Sequence, residues 1–595
     1  MSARQQSYYG TRAFAILVDA TKPVSASESL LPPQTLLAST TNPAKSNVTI
    51  QQIPPEIIAA IFSFVLDDRS EACHLFPKGV GNLFRLRDNS RLQSVAQVCH
   101  RWREILIGTS SLWSSVFYPE SWPRPSKSCN LTSHFLKRRT AGALYIHWTG
   151  RVPPDAGRGE LSRDTLDPLE VQQIHELHVR VMQGVWSEGW LPFPLTLAAS
   201  NLERLCVTHE GTWKSASEVP LFEGPVLRRL AFLYMSNVPI FPGNPLPALT
   251  SLILILDSPC ANLRPKWRVK DLLSLVASAY SLQQAYLSFL PPVERWAHEG
   301  TYPVAVLNHL RKLSVTLLDY CTSARDSFHL FLSHLRLPAN CALRVSHSMD
   351  LRIYPGVVIP ALERISDAHV VYDALRCSWY ANIDPACSSS TSVLSVQAVG
   401  SSECTMPIRL DISAGPHTYT EDTVSLVRET LSVQRFSTAT RLWISGAHTY
   451  HLLRGPNPVL ATLSNVHTLI LVDATLVNRE DLALLWHSDA SASNLTSLPC
   501  LTTLFVRLEQ AQQLADVREV LCHRLSSGYP IRRLLVGYDG MLHSAWEEQI
   551  RDRLGNMVEE LFIGVDAYDR MSWCSTVPRV CTDEEETSIY WPPWR

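Results

Sequence analysis

The chain has 595 residues, 46% hydrophobic and 9% aromatic, which supplies a large core and excludes global disorder. Lysine plus arginine total 53 against 55 aspartate plus glutamate, and a net charge of −2 argues against nucleic-acid binding by phosphate neutralisation. Fourteen cysteines at this length are too sparse for a disulfide scaffold, and no apolar run approaches the roughly 18 residues of a membrane helix.

Residues 19–50 carry lysine, serine, threonine, proline and alanine with few large apolar groups beyond Leu30, Leu31, Leu36 and Leu37, so 1–50 reads as a flexible lead-in. A helical module is expected over 51–118. Pro54 and Pro55 suit the first turn of a helix, and Glu56 suits its positive end. Ile57, Ile58, Ile61, Phe62 and Val65 then form an apolar stripe. After a polar interval, Leu92, Val95, Ala96, Cys99, Trp102 and Leu106 give a second stripe, with Gly108 as its stop. A third short piece, capped by Ser110 or Ser111, carries Leu112, Trp113 and Val116. Three helices this short make a poor core alone, so the module is expected to dock onto something else.

Residues 119–140 read as a linker, and from 141 to 566 the chain repeats. An apolar residue, two positions, a leucine, one position and an aliphatic recur at Leu202/Leu205/Val207, Leu227/Leu230/Phe232, Leu249/Leu252/Leu254 and Leu310/Leu313/Val315. Further copies are Ile174/Leu177/Val179, Ala439/Leu442/Ile444, Val466/Leu469/Leu471, Leu501/Leu504/Val506, Ile531/Leu534/Val536 and Val558/Leu561/Ile563. Helical stretches intervene, as where Leu514, Val517, Val520, Leu521 and Leu525 share one face before Gly528. Strand alternating with helix at this period predicts an α/β solenoid with a parallel sheet, each unit burying its face against its neighbours. Ordinary βαβ units in one sheet are the alternative. Residues 345–400 fit no copy. The tail, 567–595, ends in Tyr590, Trp591 and Trp594, which are costly to leave in water.

Catalytic motifs are not found. Gly79-x-Gly81 lacks the rest of a dinucleotide fingerprint, and His175-Glu176-Leu177-His178 spaces its histidines three apart in a strand, unlike a metalloprotease helix. The reading is therefore of no enzyme, with no catalytic residues, no cofactor and no metal. The basic clusters Lys137–Arg139 and Arg532–Arg533 read as solvated faces, so neither nucleic acid nor membrane is expected as a partner.

The first region resembles the F-box, the module that joins substrate receptors to cullin–RING ubiquitin ligases. The matching residues are Ile53-Pro54-Pro55-Glu56-Ile57-Ile58, Ile61-Phe62-Ser63-Phe64-Val65, and Val95 with Val98-Cys99-His100-Arg101-Trp102-Arg103. The run Thr109 to Val116 is similar to an extension common in F-box proteins of mushroom-forming fungi, where a leucine-rich-repeat-like region often follows. The resemblance implies a small three-helix F-box module before that solenoid, a Skp-family adaptor as partner and, through it, a cullin. It also implies an intracellular place, cytoplasmic or nuclear. Carried over, the contact comprises Ile53, Pro54, Pro55, Glu56, Ile57, Ile61, Phe62, Val65, Val95, Val98, Cys99 and Trp102. About half of the apolar ones are expected to face inward. The repeats would hold an unidentified target protein; the other reading is a non-catalytic scaffold unconnected with degradation.

Overall fold

The computed structural model describes residues 52–66, 90–118, 142–151, 171–182, 185–186, 195, 199–210, 212–213, 227–238, 242, 244–255, 268–288, 302–318 and 323–348. It further describes 371–383, 390–400, 405–414, 436–445, 459–472, 485, 498–508, 511–538, 544–564, 573, 576–582, 591 and 594. Contacts divide the chain into Met1–Pro54 and Pro55–Arg595. All that follows concerns the second unit, apart from the exposure of Ile53 and Pro54.

Helices come first: α1 (Pro55–Leu66), α2 (Ser90–Ala96) and α3 (His100–Gly108), then a 3₁₀ turn at Ser110–Trp113. The second apolar stripe is thus not one helix. Extended backbone at Cys99 (φ −158°, ψ 168°) separates α2 from α3. The third piece also departs from a helix. After its single turn the chain enters strand β1 (Ser115–Tyr118), and Val116 joins the main core.

The strands continue as β2 (Leu144–Arg151), β3 (Ile174–Met182), β4 (Val185–Trp186), β5 (Arg204–His209), β6 (Thr212–Trp213) and β7 (Phe232–Ser236). Next are β8 (Ser251–Ile255), β9 (Gln284–Leu287), β10 (Ala305–Val306), β11 (Lys312–Leu318), β12 (Leu335–Arg336) and β13 (Ala342–Ser348). The last are β14 (Ala374–Ile383), β15 (Ser390–Val399), β16 (Ile408–Ala414), β17 (Arg441–Ser445), β18 (Thr468–Leu471), β19 (Thr503–Leu508), β20 (Arg533–Tyr538) and β21 (Glu560–Ile563). Among the described residues, seventeen of these form one sheet, and β4–β6 and β10–β12 are separate pairs.

Within that sheet each strand lies parallel to the next in the chain, from β1 to β13 and again from β17 to β21. The middle differs. There β13 pairs with β16, β15 is antiparallel to both β16 and β14, and β14 passes parallel to β17. Over the described residues 371–383 and 390–400 this reversed insert accounts for the missing repeat, and it makes the sheet mostly, not wholly, parallel.

Register aligns one residue per strand across the whole sheet. Central leucines of the sequence pattern fall in one such row, running Leu177, Leu205, Leu252 and, beyond the insert, Leu442, Leu469, Leu504, Leu534 and Leu561, with Leu233 between Leu205 and Leu252. Alternate side chains on a strand face opposite ways, so a leucine and the aliphatic two positions on enter the same core. Leu227/Leu230/Phe232 is three residues out of register. Leu233 and Met235 face the main core, whereas Phe232 lies in the cluster on the other face. Ahead of most strands a tight turn links two apolar residues three apart, as in Leu202 N–H to Ala199 C=O (3.2 Å) and Leu249 to Leu246 (3.1 Å).

Helices cover the leucine face. Buried residues of α4 (Val269–Ser278), α5 (Ser323–Ser333), α7 (Ala511–Ser526) and α8 (Ser544–Leu554) join its core, as does Leu460 of the short α6 (Val459–Thr462). In α7 the inward stripe is Leu514, Val517, Val520 and Leu521, while Leu525 is exposed, contrary to the sequence pattern. Arg524 takes the inward place instead. Its guanidinium donates to the carbonyls of Tyr529 (3.1 Å), Leu485 (3.3 Å) and Leu498 (3.0 Å). Gly528, at φ +82°, ends that helical segment in a conformation few other residues accept.

Candidate functional site

The site begins with twelve residues, PEIIAAIFSFVL, whose only charge is Glu56 in the first turn of α1. A surface helix normally shows one apolar stripe and one polar face. Here both sides are apolar. Ile58 and Phe62, four apart, are 2% and 1% exposed and form the inward stripe. Ile57, Ile61 and Phe64, spaced four and three apart, form a second stripe facing outward at 53%, 47% and 80% exposure.

Packing of Phe62 on α3 fixes which stripe is outward. Its ring meets that of Trp102 edge to face, centroids 5.2 Å apart at 69°, a preferred aromatic geometry. Cys99 sets the start of α3 by accepting the Trp102 backbone N–H at its sulfur (3.4 Å). Cys99, placed in the second apolar stripe by the sequence, is not part of a buried face: its thiol is exposed and acts as the helix cap. At the other end the indole N–H of Trp113 donates to the Leu106 carbonyl (2.8 Å), and Thr109 donates to that of Ile105 (2.7 Å). Arg103 reaches back to the Ala96 carbonyl (3.1 Å), tying α3 to α2.

Of the twelve residues singled out in the sequence, the structure groups Ile57, Ile61 and Val98 as large exposed apolar side chains, Val98 at 58%. Pro54, Pro55, Glu56 and Cys99 are exposed and polar or small; Ile53, Val95 and Trp102 are half-buried. Phe62 is sealed inside, leaving almost no surface for another molecule. The side chain of Val65 lies outside the described residues, as do Gly79, Gly81 and Lys137–Arg139. Phe64 was absent from that set although the i, i+4, i+7 spacing from Ile57 through Ile61 points to it.

The sheet's second face, opposite the leucines, is polar in places. His178 pairs with Glu176 (2.9 Å), both buried on β3, and stacks on His147 of β2 with centroids 6.0 Å apart. His175 pairs separately with Glu203 (3.0 Å). Among the described residues no group of three histidine, cysteine or carboxylate side chains is placed to hold a metal ion. On β13 and β16, Asp411 accepts from Arg344 (2.7 Å) and Arg409 (2.8 Å). Burial alone would raise the Asp411 pKa, but the two guanidiniums outweigh it and hold the carboxyl below its ordinary value. Arg533 donates to Glu560 (2.7 Å), and the exposed Arg532 lies near Glu559 (3.8 Å), so each cation of that cluster has a local carboxylate.

No curated protein matches the chain. A family model described as F-box-like matches residues 50–119, the stretch that holds α1 to α3, the 3₁₀ turn and β1. The chain carries an F-box-like domain ahead of a mixed α/β region built on a large, mostly parallel sheet.

Proposed function

We propose that the chain is the substrate-recognition subunit of a cullin–RING ubiquitin ligase, held by a Skp-family adaptor at its amino-terminal helices. F-box-like domains have a general role as ubiquitin-ligase adaptors and typically bind Skp-family proteins. The observation that carries the reading here is the outward stripe of Ile57, Ile61 and Phe64 on α1, with Val98 beside α3. Exposed apolar side chains in a row along one helix, as on α1, mark a surface that another molecule covers.

Magnitudes support an interface of moderate size. Burying one large aliphatic or aromatic side chain contributes about 1.5–3 kcal/mol. The four are already partly covered, so burying what remains contributes about 4–7 kcal/mol, near the low end of the roughly 4–15 kcal/mol cost of association. Half-buried Trp102 and Val95 would have to add to the contact, with the aromatic as an anchor.

The mixed α/β region fits a leucine-rich-repeat-like solenoid. In support, turn hydrogen bonds recur at the same place in successive units, and backbone links run from strand to strand outside the strands themselves. Thus His467 donates to Thr440 (2.8 Å), Thr502 to His467 (3.0 Å), Arg532 to Thr502 (2.9 Å) and Glu559 to Arg532 (2.8 Å). Such a stack would hold the target while other subunits perform the ubiquitin transfer. Bringing a target lysine beside the ubiquitin carrier makes an encounter-limited step local. The role requires no chemistry from this chain, no cofactor and no membrane, and it places the chain inside the cell.

The experiment is affinity purification of the full chain and of the double variant Ile61→Asp/Phe64→Asp. The reading expects adaptor and cullin with the parent chain only, together with a retained partner that becomes ubiquitylated when the ligase is complete. A retained partner that is never ubiquitylated, with cullin absent throughout, would replace the ligase subunit by a scaffold.

A further inference from the structure

Residues beyond the last strand return to the sheet. Trp573, Val577, Cys581, Trp591 and Trp594 are all buried, and they share one apolar cluster with Ala342, Ala374 and Trp443 on the face opposite the leucine core. Trp573 meets Trp443 edge to face at 4.9 Å, and the Arg376 guanidinium stands 6.0 Å over the Trp573 ring. The Lys312 ammonium stands 5.8 Å over Trp591. Trp591 in turn stacks on Trp594 at 5.9 Å, and the Trp594 backbone N–H donates to the Cys581 carbonyl (3.0 Å).

The charged side chains of the strands beneath this cluster are mostly cationic. Among the described residues of β11 and β13 to β16, Lys312, Arg344, Arg376 and Arg409 face Asp411 as the sole carboxylate. Between the anchors Thr582 and Trp591 the sequence supplies Asp583, Glu584, Glu585 and Glu586. Aromatic rings over cations, joined by a stretch of carboxylates, are the chemistry such a surface selects.

The fit is also incomplete. The indole N–H groups of Trp573, Trp591 and Trp594 are buried without an acceptor among the described residues. Buried donors left unmade weaken the closed arrangement relative to one that satisfies them. Covalent attachment, which gives the tail a high effective concentration, favours its occupancy nonetheless.

We propose that the sheet face around Lys312, Arg376 and Trp443 is the docking surface for a target-protein segment bearing tryptophans and acidic residues, and that Trp573, Trp591 and Trp594 occupy it until such a segment displaces them. This rests on the reading that the sheet holds a target; it does not require the adaptor contact.

The test uses a fluorescent peptide of residues 571–595 added to the full-length chain and to its Trp591→Ala/Trp594→Ala variant, with binding read by anisotropy. The variant should bind at least tenfold more tightly than the parent chain. Replacing Asp583–Glu586 of the peptide by their amides should cost at least fivefold, and raised salt should weaken binding. A variant that keeps its circular dichroism and melting transition yet takes up no peptide, or binds a scrambled peptide equally, overturns the proposal and leaves the tail as a structural cap. Should the variant not fold, a protease site placed within residues 565–572 and cut after folding turns the tail into a ligand. Exchange of the cut fragment for labelled peptide supports the proposal; a fragment that never exchanges overturns it. Neither assay contains the adaptor. A failed peptide assay with a ubiquitylated partner intact would sink this inference alone.

Discussion

Phe62 packs edge-on against Trp102 with ring centroids 5.2 Å apart, while Phe64, two residues later on the same helix, is four-fifths exposed. The pair separates folding from docking on one short segment. Phe62→Ala should destabilise the amino-terminal helices by about 3–5 kcal/mol, the usual cost of emptying a buried aromatic site. Phe64→Ala should change stability by no more than about 0.5 kcal/mol, as exposed substitutions do, yet weaken adaptor binding. Chemical denaturation and a binding isotherm on each variant check both halves.

Asp411 gives the fold an acid-sensitive point. Its folded-state pKa lies below the ordinary value of 3.8, so its stabilisation is complete above that pH and is lost as the pH falls below it. Asp411→Asn leaves Arg409 buried without its counter-charge and should cost about 3 kcal/mol or more at pH 7. The difference between parent and variant should begin to shrink as the pH drops through 3.8, where the unfolded chain takes up its proton, and close only as the pH falls through the lower folded-state value. Urea melts at pH 7, 5 and 3 measure it. An equal deficit at all three would contradict the assignment.

Arg524 is buried on α7, where burial lowers its pKa to about 10. It remains a cation at neutral pH and serves four backbone carbonyls, the fourth being that of Leu501 (3.5 Å). Arg524→Met keeps the apolar stem but leaves those acceptors unmet, each worth about 1–3 kcal/mol. The expected total is a loss of about 3–5 kcal/mol. Leu525→Ala, next to it but exposed, should be near neutral. Thermal melts of the two variants give the comparison.

Much of the sheet was legible in the sequence, because a strand buried on its leucine face demands a period of two and the repeat supplies it. Leu205, Leu252, Leu313, Leu469, Leu504 and Leu534 all fall where the pattern places them. The slip at Leu227/Leu230/Phe232 has a local cause: Leu227, Leu230 and Leu233 are spaced by threes, so spacing alone offers two registers. The insert β14 to β16 was illegible because its strands alternate leucine or valine with serine, arginine and glutamine, and antiparallel pairing needs no helix between them. Arg524 was hidden because a charged residue on a helix is ordinarily solvated. At the helical site, composition identified the apolar residues of α1 but not their direction. Phe62 and Phe64 differ only in which neighbour each meets, and that is a tertiary fact.

Ile61→Asp/Phe64→Asp also provides the most direct test, in a titration of purified full-length chain with a purified Skp-family adaptor. The parent chain should bind with a measurable heat and a one-to-one endpoint, and the double variant should bind at least a hundredfold more weakly while its melting transition is unchanged. Undiminished binding by a folded double variant would contradict the central claim that α1's outward stripe awaits a foreign subunit.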